Sequence, residues 1–125
     1  FREIDLGAWE EKTFDEIRSR YPKEFHLRGE NIDKFRPPEG ESFEDLHSRV
    51  IPAFYELFES RGENILIVGH AGVNRVILCH ILDMPLKNVL RIRQDFGAVN
   101  ILSVTTKNNY ISADCLNFTL CPLHE

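Results

Sequence analysis

No stretch of this chain constrains its fold more than Ile65-Leu66-Ile67-Val68-Gly69-His70-Ala71-Gly72-Val73-Asn74-Arg75. A continuous apolar run bounded by small residues reads as a buried central parallel β-strand over residues 64–69. The Ala-Gly pair that follows lets a helix start at once and approach closely. Such a strand-to-helix turn makes an anion site. Free N–H groups of the first helical turn, the positive end of the helix dipole and an imidazole at the carboxyl edge of the strand converge on a phosphate-sized charge. A lone histidine on an apolar segment is ordinarily a satisfied core residue; the strand-end setting of His70 argues for the ligand role instead.

Size and composition fit one compact unit. The 125 residues are 42% hydrophobic and 28% charged, an ordinary globular mixture of single-domain length. A formal net charge of −5 argues against non-specific nucleic-acid binding, so attraction for an anionic substrate must come from local groups. No apolar run reaches membrane-spanning length, and no signal peptide is visible. The three cysteines, Cys79, Cys115 and Cys121, lack metal-site spacing and read as reduced, buried thiols of a cytoplasmic protein. His26, His47 and His124 have no partner spacing, which argues against a metal centre.

Along the chain there is no internal repeat and no low-complexity linker. Phe14, Ile17 and Tyr21 predict a short helix from Thr13, stopped by Pro22. Residues 23–41 are polar and rich in Pro and Gly, the composition of a surface loop. Ser42 with Asp45 resembles a capping box opening a helix that carries Leu46, Val50, Phe54, Leu57 and Phe58 on one face, and Pro52 predicts a kink or break in it. After a turn at Gly62 come the 64–69 strand and a helix over 72–82, too apolar to be solvated and so expected against the sheet. Pro85 starts a helical turn through Leu90. Two β-like runs, 98–105 and 110–116, joined at Lys107-Asn108-Asn109, predict a hairpin. A parallel strand, a helix and a closing antiparallel hairpin imply an α/β sandwich with a mixed sheet.

Three motifs along the chain resemble the histidine phosphatase superfamily, the group of cofactor-dependent phosphoglycerate mutases and many small-molecule phosphatases. The first is the Gly69-His70 turn. The second, Phe1-Arg2-Glu3-Ile4-Asp5-Leu6-Gly7-Ala8-Trp9-Glu10, is similar to the family's Leu-x-Glu-x-x-x-Gly-x-Trp-Glu segment. The third, Pro37-Pro38-Glu39-Gly40-Glu41-Ser42, is similar to the Pro-Gly-Gly-Glu-Ser turn of its phosphatase branch. Gly72 to His80 and Gln94 to Asn100 look like the corresponding segments of α-ribazole phosphatases. The resemblance implies a three-layer α/β sandwich with a mixed, mostly parallel sheet. No Arg-His-Gly, the family's nucleophile motif, occurs in these residues. Residues 1–125 therefore read as a single partial domain, the carboxyl-terminal part of the family unit, without its amino-terminal strand. Taken alone, they are expected to be inactive.

The chemistry follows from the same resemblance. Phosphomonoester hydrolysis needs an in-line nucleophile, donors on the equatorial oxygens and an acid for the departing alkoxide. The absent histidine is the nucleophile, His70 is the second histidine that donates to the phosphoryl oxygens, and the Ala71 amide adds a helix-terminus donor. Glu3 is the implied general acid; to act near neutral pH it must stay partly protonated, through burial or through the phosphate's own charge. The bland alternative for Glu3 is a solvated carboxylate. Arg91 and Arg93 share a face if 90–93 is extended and then guide a phosphate or ribose, although exposed arginines are more often solvated. Arg75 is as able to pair with an acidic neighbour as with substrate, His80 reads as a packing residue, and Trp9 lines the substrate mouth or anchors its loop. Glu41 is expected to support the turn before Ser42 and takes no catalytic step. The 23–41 segment corresponds to the family's active-site lid.

The expected activity is metal-independent hydrolysis of a small phosphorylated metabolite, with α-ribazole 5′-phosphate first, without a cofactor, nucleic-acid partner or membrane; a homodimer stays open. A phosphatase is favoured over a phosphoglycerate mutase because the Glu3 to His70 interval is short, whereas mutases carry a longer insert that encloses the intermediate. A non-catalytic phosphate-binding module is the alternative from a different class.

Overall fold

A computed structural model describes residues 1–59, 64–105, 108 and 110–120. The Gly62 turn, Cys121, His124 and most of the 107–109 turn lie outside the described residues. Two helices and a hairpin carry the core. Helix α3 (Phe43–Glu59) turns Leu46, Val50 and Phe54 inward at helical spacing, and α4 (Ala71–Ile81) buries Val73, Val76, Ile77 and Cys79 against it. Val89, in the 3₁₀ turn Leu86–Arg91 that follows Pro85, completes the cluster. The hairpin of β1 (Val99–Thr105) and β2 (Tyr110–Phe118) is antiparallel, in register from Leu102 opposite Ala113 to Thr105 opposite Tyr110, with irregular pairing near Ile101. Its Leu102 and Ile111 pack on the helical core.

The local signals for helix starts hold. Thr13 and Glu16 form a reciprocal capping box for α1 (Phe14–Arg20). At α3, the Ser42 hydroxyl accepts from the Asp45 amide at 3.1 Å while Asp45 accepts from the Ser42 amide at 2.9 Å. Pro52 does not break α3; it sits on the exposed side, where one missing backbone hydrogen bond is outweighed by the packed stripe opposite.

Three expectations change. Pro22 ends α1 but opens α2 (Pro22–Glu30), because proline is preset for the first helical position. Much of the supposed 23–41 loop is therefore helical. Residues 64–70 form no strand, and Leu66 and Val68 are 88% and 86% exposed while Ile67 alone packs inward. A strand requires a neighbour to take its ladder hydrogen bonds, and no described segment runs alongside. Among the described residues the only sheet is the two-stranded antiparallel one, so α4 is buried against α3 and the 3₁₀ turn rather than against a parallel sheet.

Cys79 is buried, which raises its thiol pKa, and Cys115 is only half-buried. Among the described residues no helix is long and apolar enough to cross a membrane, and no three His, Cys, Asp or Glu side chains gather around a common metal position.

Candidate active site

The segment 1–10 has almost no regular structure of its own, so the 37–42 turn must hold it. The Ala8 amide donates to the Pro38 carbonyl at 2.9 Å and the Glu41 amide to the Asp5 carbonyl at 2.7 Å. Gly7 has φ +53°, and a Cβ there would lie 2.2 Å from the Pro38 oxygen; only glycine meets both demands. A Cβ on Gly40 would lie 2.8 Å from the Asp5 oxygen. The two motifs thus form one docked pair. Trp9 anchors it, almost wholly buried, with its ring 5.4 Å from Phe35 and 6.2 Å from Tyr21. It does not line a mouth, and its indole N–H has no acceptor among the described residues.

Docked this way, Glu3 reaches across 69 positions of sequence to the start of α4. Its Oε2 accepts from the Gly72 amide at 3.0 Å and its Oε1 from the Ile4 amide at 2.9 Å. Gly72 is buried, and a Cβ there would stand 2.4 Å from Glu3 Oε1; the carboxylate can approach only because residue 72 has no side chain. His70 is the residue before the helix, extended at φ −124° and ψ 164°, with an exposed side chain that makes no cap hydrogen bond. Its carbonyl accepts from the Asn74 amide at 2.9 Å, which fixes the backbone at the helix start. Ala71 is the first helical residue, so its N–H has no intrahelical acceptor. Sequence-distant Glu3 and His70 are therefore brought to one helix end, together with the Ala71 amide.

The arginines behave differently. Arg91 belongs to the 3₁₀ turn, so 90–93 is not one extended segment. Arg93 donates to Asp95 at 2.9 Å, an exposed pair that depresses the Asp95 carboxyl. Among the described residues no hydrogen bond or ion pair joins either arginine to His70 or Glu3. Arg75 donates to the Ile92 carbonyl at 2.8 Å rather than to an acid.

Glu41 does more than brace a turn. Its Oε2 accepts from the Asp5 amide at 3.0 Å, and both its oxygens accept from Arg49 of α3, at 2.7 and 2.9 Å. The Arg49 hydrogen bond is the main cause holding the Glu41 carboxyl below its usual range, against the opposing effect of burial. The signal for Arg49 was faint: a charge three positions after Leu46, on the flank of the apolar stripe.

His80 packs against the rings of His47 and Tyr55, with centroids 5.2 and 5.7 Å away, and it carries polar contacts as well. At the far end of α4 its Nδ1 lies 3.2 Å from His47 Nε2 and its Nε2 3.1 Å from the Tyr55 hydroxyl, beside an open depression of about 240 Å³. Burial first, and His80 second, lower the His47 pKa. Histidines 33 positions apart on different helices leave no spacing signal.

The same chain is similar to known proteins along most of its length. The profile of the histidine phosphatase superfamily (branch 1) matches residues 1–115. A 6-phosphofructo-2-kinase/fructose-2,6-bisphosphatase from Gallus gallus is 47% identical over 81 residues, which is 65% of this chain and 17% of that protein. Among solved structures, Bacillus stearothermophilus YhfR superposes with a TM-score of 0.76 at 30% identity, over 90% of this chain and 55% of that one. The α-ribazole phosphatase from Shigella flexneri superposes with a TM-score of 0.80 at 24% identity, over 93% of this chain and 57% of its own, and so speaks for the α/β fold alone. The chain spans little more than half the length of these structures and about a sixth of the curated relative. On the profile match and the fold together, it belongs to the histidine phosphatase superfamily, branch 1.

Proposed function

We propose that the complete protein is a metal-independent phosphomonoesterase acting on a small phosphorylated metabolite through a phosphohistidine intermediate, and that residues 1–125 are part of one catalytic domain within it. The observation that carries this reading is the Glu3 carboxylate on the Gly72 amide, two residues beyond His70. It brings the Glu3 carboxylate to the helix end that His70 precedes, which supports the reading of an acid, an imidazole and a helix terminus acting on one phosphoryl group.

In the first half-reaction a histidine nitrogen supplied from outside these residues bonds to phosphorus, the ester P–O bond breaks, and Glu3 gives its proton to the departing oxygen. In the second, water bonds to phosphorus as the P–N bond breaks, and the Glu3 carboxylate takes the water's proton. His70 and the Ala71 amide donate to the equatorial oxygens throughout. Arg91 and Arg93 are at most outer guides for the anion, and Arg93 already shares its charge with Asp95. In the complete domain the exposed Leu66 and Val68 edge takes a neighbouring strand, building the mostly parallel three-layer sandwich.

Two substrate readings have separate support. α-Ribazole 5′-phosphate rests on the Gly72 to His80 and Gln94 to Asn100 segments, and fructose 2,6-bisphosphate on the 47% identity with the Gallus gallus protein. The test is phosphate release by the complete protein from these two compounds and from 3-phosphoglycerate, without added metal, with kcat/KM compared. Release of inorganic phosphate supports the reading. Formation of 2-phosphoglycerate would make the protein a mutase, and phosphate binding without turnover would make it a binding module.

A further inference from the structure

We infer that Arg49 is a positioning residue for the acid: through the Glu3–Ile4 peptide it aims the Glu3 carboxylate at the helix end beside His70. The inference rests on the assignment of Glu3 as general acid. Arg49 Nη2 donates to the Glu3 carbonyl at 3.0 Å and to the Arg2 carbonyl at 3.1 Å. The Glu3 carbonyl and the Ile4 N–H belong to one planar trans peptide and point in opposite directions. Fixing the oxygen on Arg49 therefore fixes the N–H on the other side, where it holds Glu3 Oε1 at 2.9 Å and leaves Oε2 to the Gly72 amide.

The guanidinium is itself held. Its Nε and Nη2 fork onto the two Glu41 oxygens, and Glu41 also takes the Asp5 amide, so the backbone is gripped on both sides of Glu3. A lysine could supply the charge but not this planar fork. A pair that merely tied α3 to the first residues would need only the charge contact. Here the contacts end on the peptide that orients the acid.

The test is a double-mutant cycle in the complete protein between Glu3→Gln and Arg49→Met, read as kcat on an alkyl phosphate and on p-nitrophenyl phosphate. A good leaving group departs without a proton, so a fault in acid positioning shows on the alkyl ester alone, whereas a loss of folded protein lowers both equally. Arg49→Met is expected to lower kcat on the alkyl phosphate by on the order of 10- to 100-fold, the usual cost of misplacing a catalytic group by about an ångström. It should affect p-nitrophenyl phosphate far less, and in the Glu3→Gln background it should cost the alkyl phosphate nothing further. Arg49→Lys carries the same test should the Met variant fail to fold, with the same selectivity expected. Equal losses on both substrates, or losses that add fully to those of Glu3→Gln, overturn the inference while leaving Glu3 as the acid. If Glu3→Gln itself treats both substrates alike, the acid assignment falls and Arg49 with it.

Discussion

Gly72→Ala separates the role of Glu3 from the stability of the fold. The new methyl would stand 2.4 Å from Glu3 Oε1, and ordinary contact begins near 3.4 Å, so the carboxylate must withdraw by about 1 Å. Because the obstructing atom is the tip of a side chain, the backbone need not move. The helix gains at most about 1 kcal/mol, the figure for replacing an interior glycine, because Gly72 lies in the first turn of α4. It loses the Gly72 N–H to Glu3 hydrogen bond, about 1.5–3 kcal/mol for a charged acceptor. The net destabilisation is about 0.5–3 kcal/mol, a fall of up to roughly ten degrees in Tm. Catalysis should suffer far more, since an acid displaced by about 1 Å costs roughly 100-fold. The assay is kcat on an alkyl phosphate with the complete protein, beside a thermal melt of the same sample. A folded Gly72→Ala protein that hydrolyses the alkyl ester at the wild-type rate would refute the argument that Glu3 acts from this position.

His70→Ala should lower kcat on the order of 100-fold or more, by removing a donor to the transferring phosphoryl group. Because the side chain is exposed, the melting curve should hardly move; wild-type turnover would remove His70 from the site. The His47 and His80 pair predicts a pH dependence of stability. The folded-state pKa of His47 lies below its ordinary value of 6.5, so its contribution is fully present above about pH 6.5 and is lost as pH falls through the lowered value. Tm measured between pH 7.5 and 5 should decline in this range, and less so in His47→Gln; an unchanged slope would show that the pair does not govern it.

Features set by neighbours in sequence were legible without the fold. The helix start at Thr13, the capping box at Ser42, the apolar stripe of α3 and the buried face of α4 follow from side-chain spacing and local hydrogen bonds, which the chain carries wherever it goes. The two β-like runs of the hairpin are of the same kind, as is the placing of His70 at the mouth of a helix. Pro22 stops α1 as its ring predicts, but the 23–41 segment is not all loop, because the same rigid ring suits the first turn of the next helix. Residues 64–69 form no strand here for a deeper reason: an apolar sequence can prefer a strand, but only a neighbouring backbone can make it one. Tertiary structure alone decided how the candidate residues meet. Glu3 on Gly72, Arg49 on the Glu3 carbonyl and His47 on His80 join residues 33 to 69 positions apart. Such contacts depend on how α3, α4 and the 37–42 turn pack, and no periodicity along the chain records where those surfaces meet.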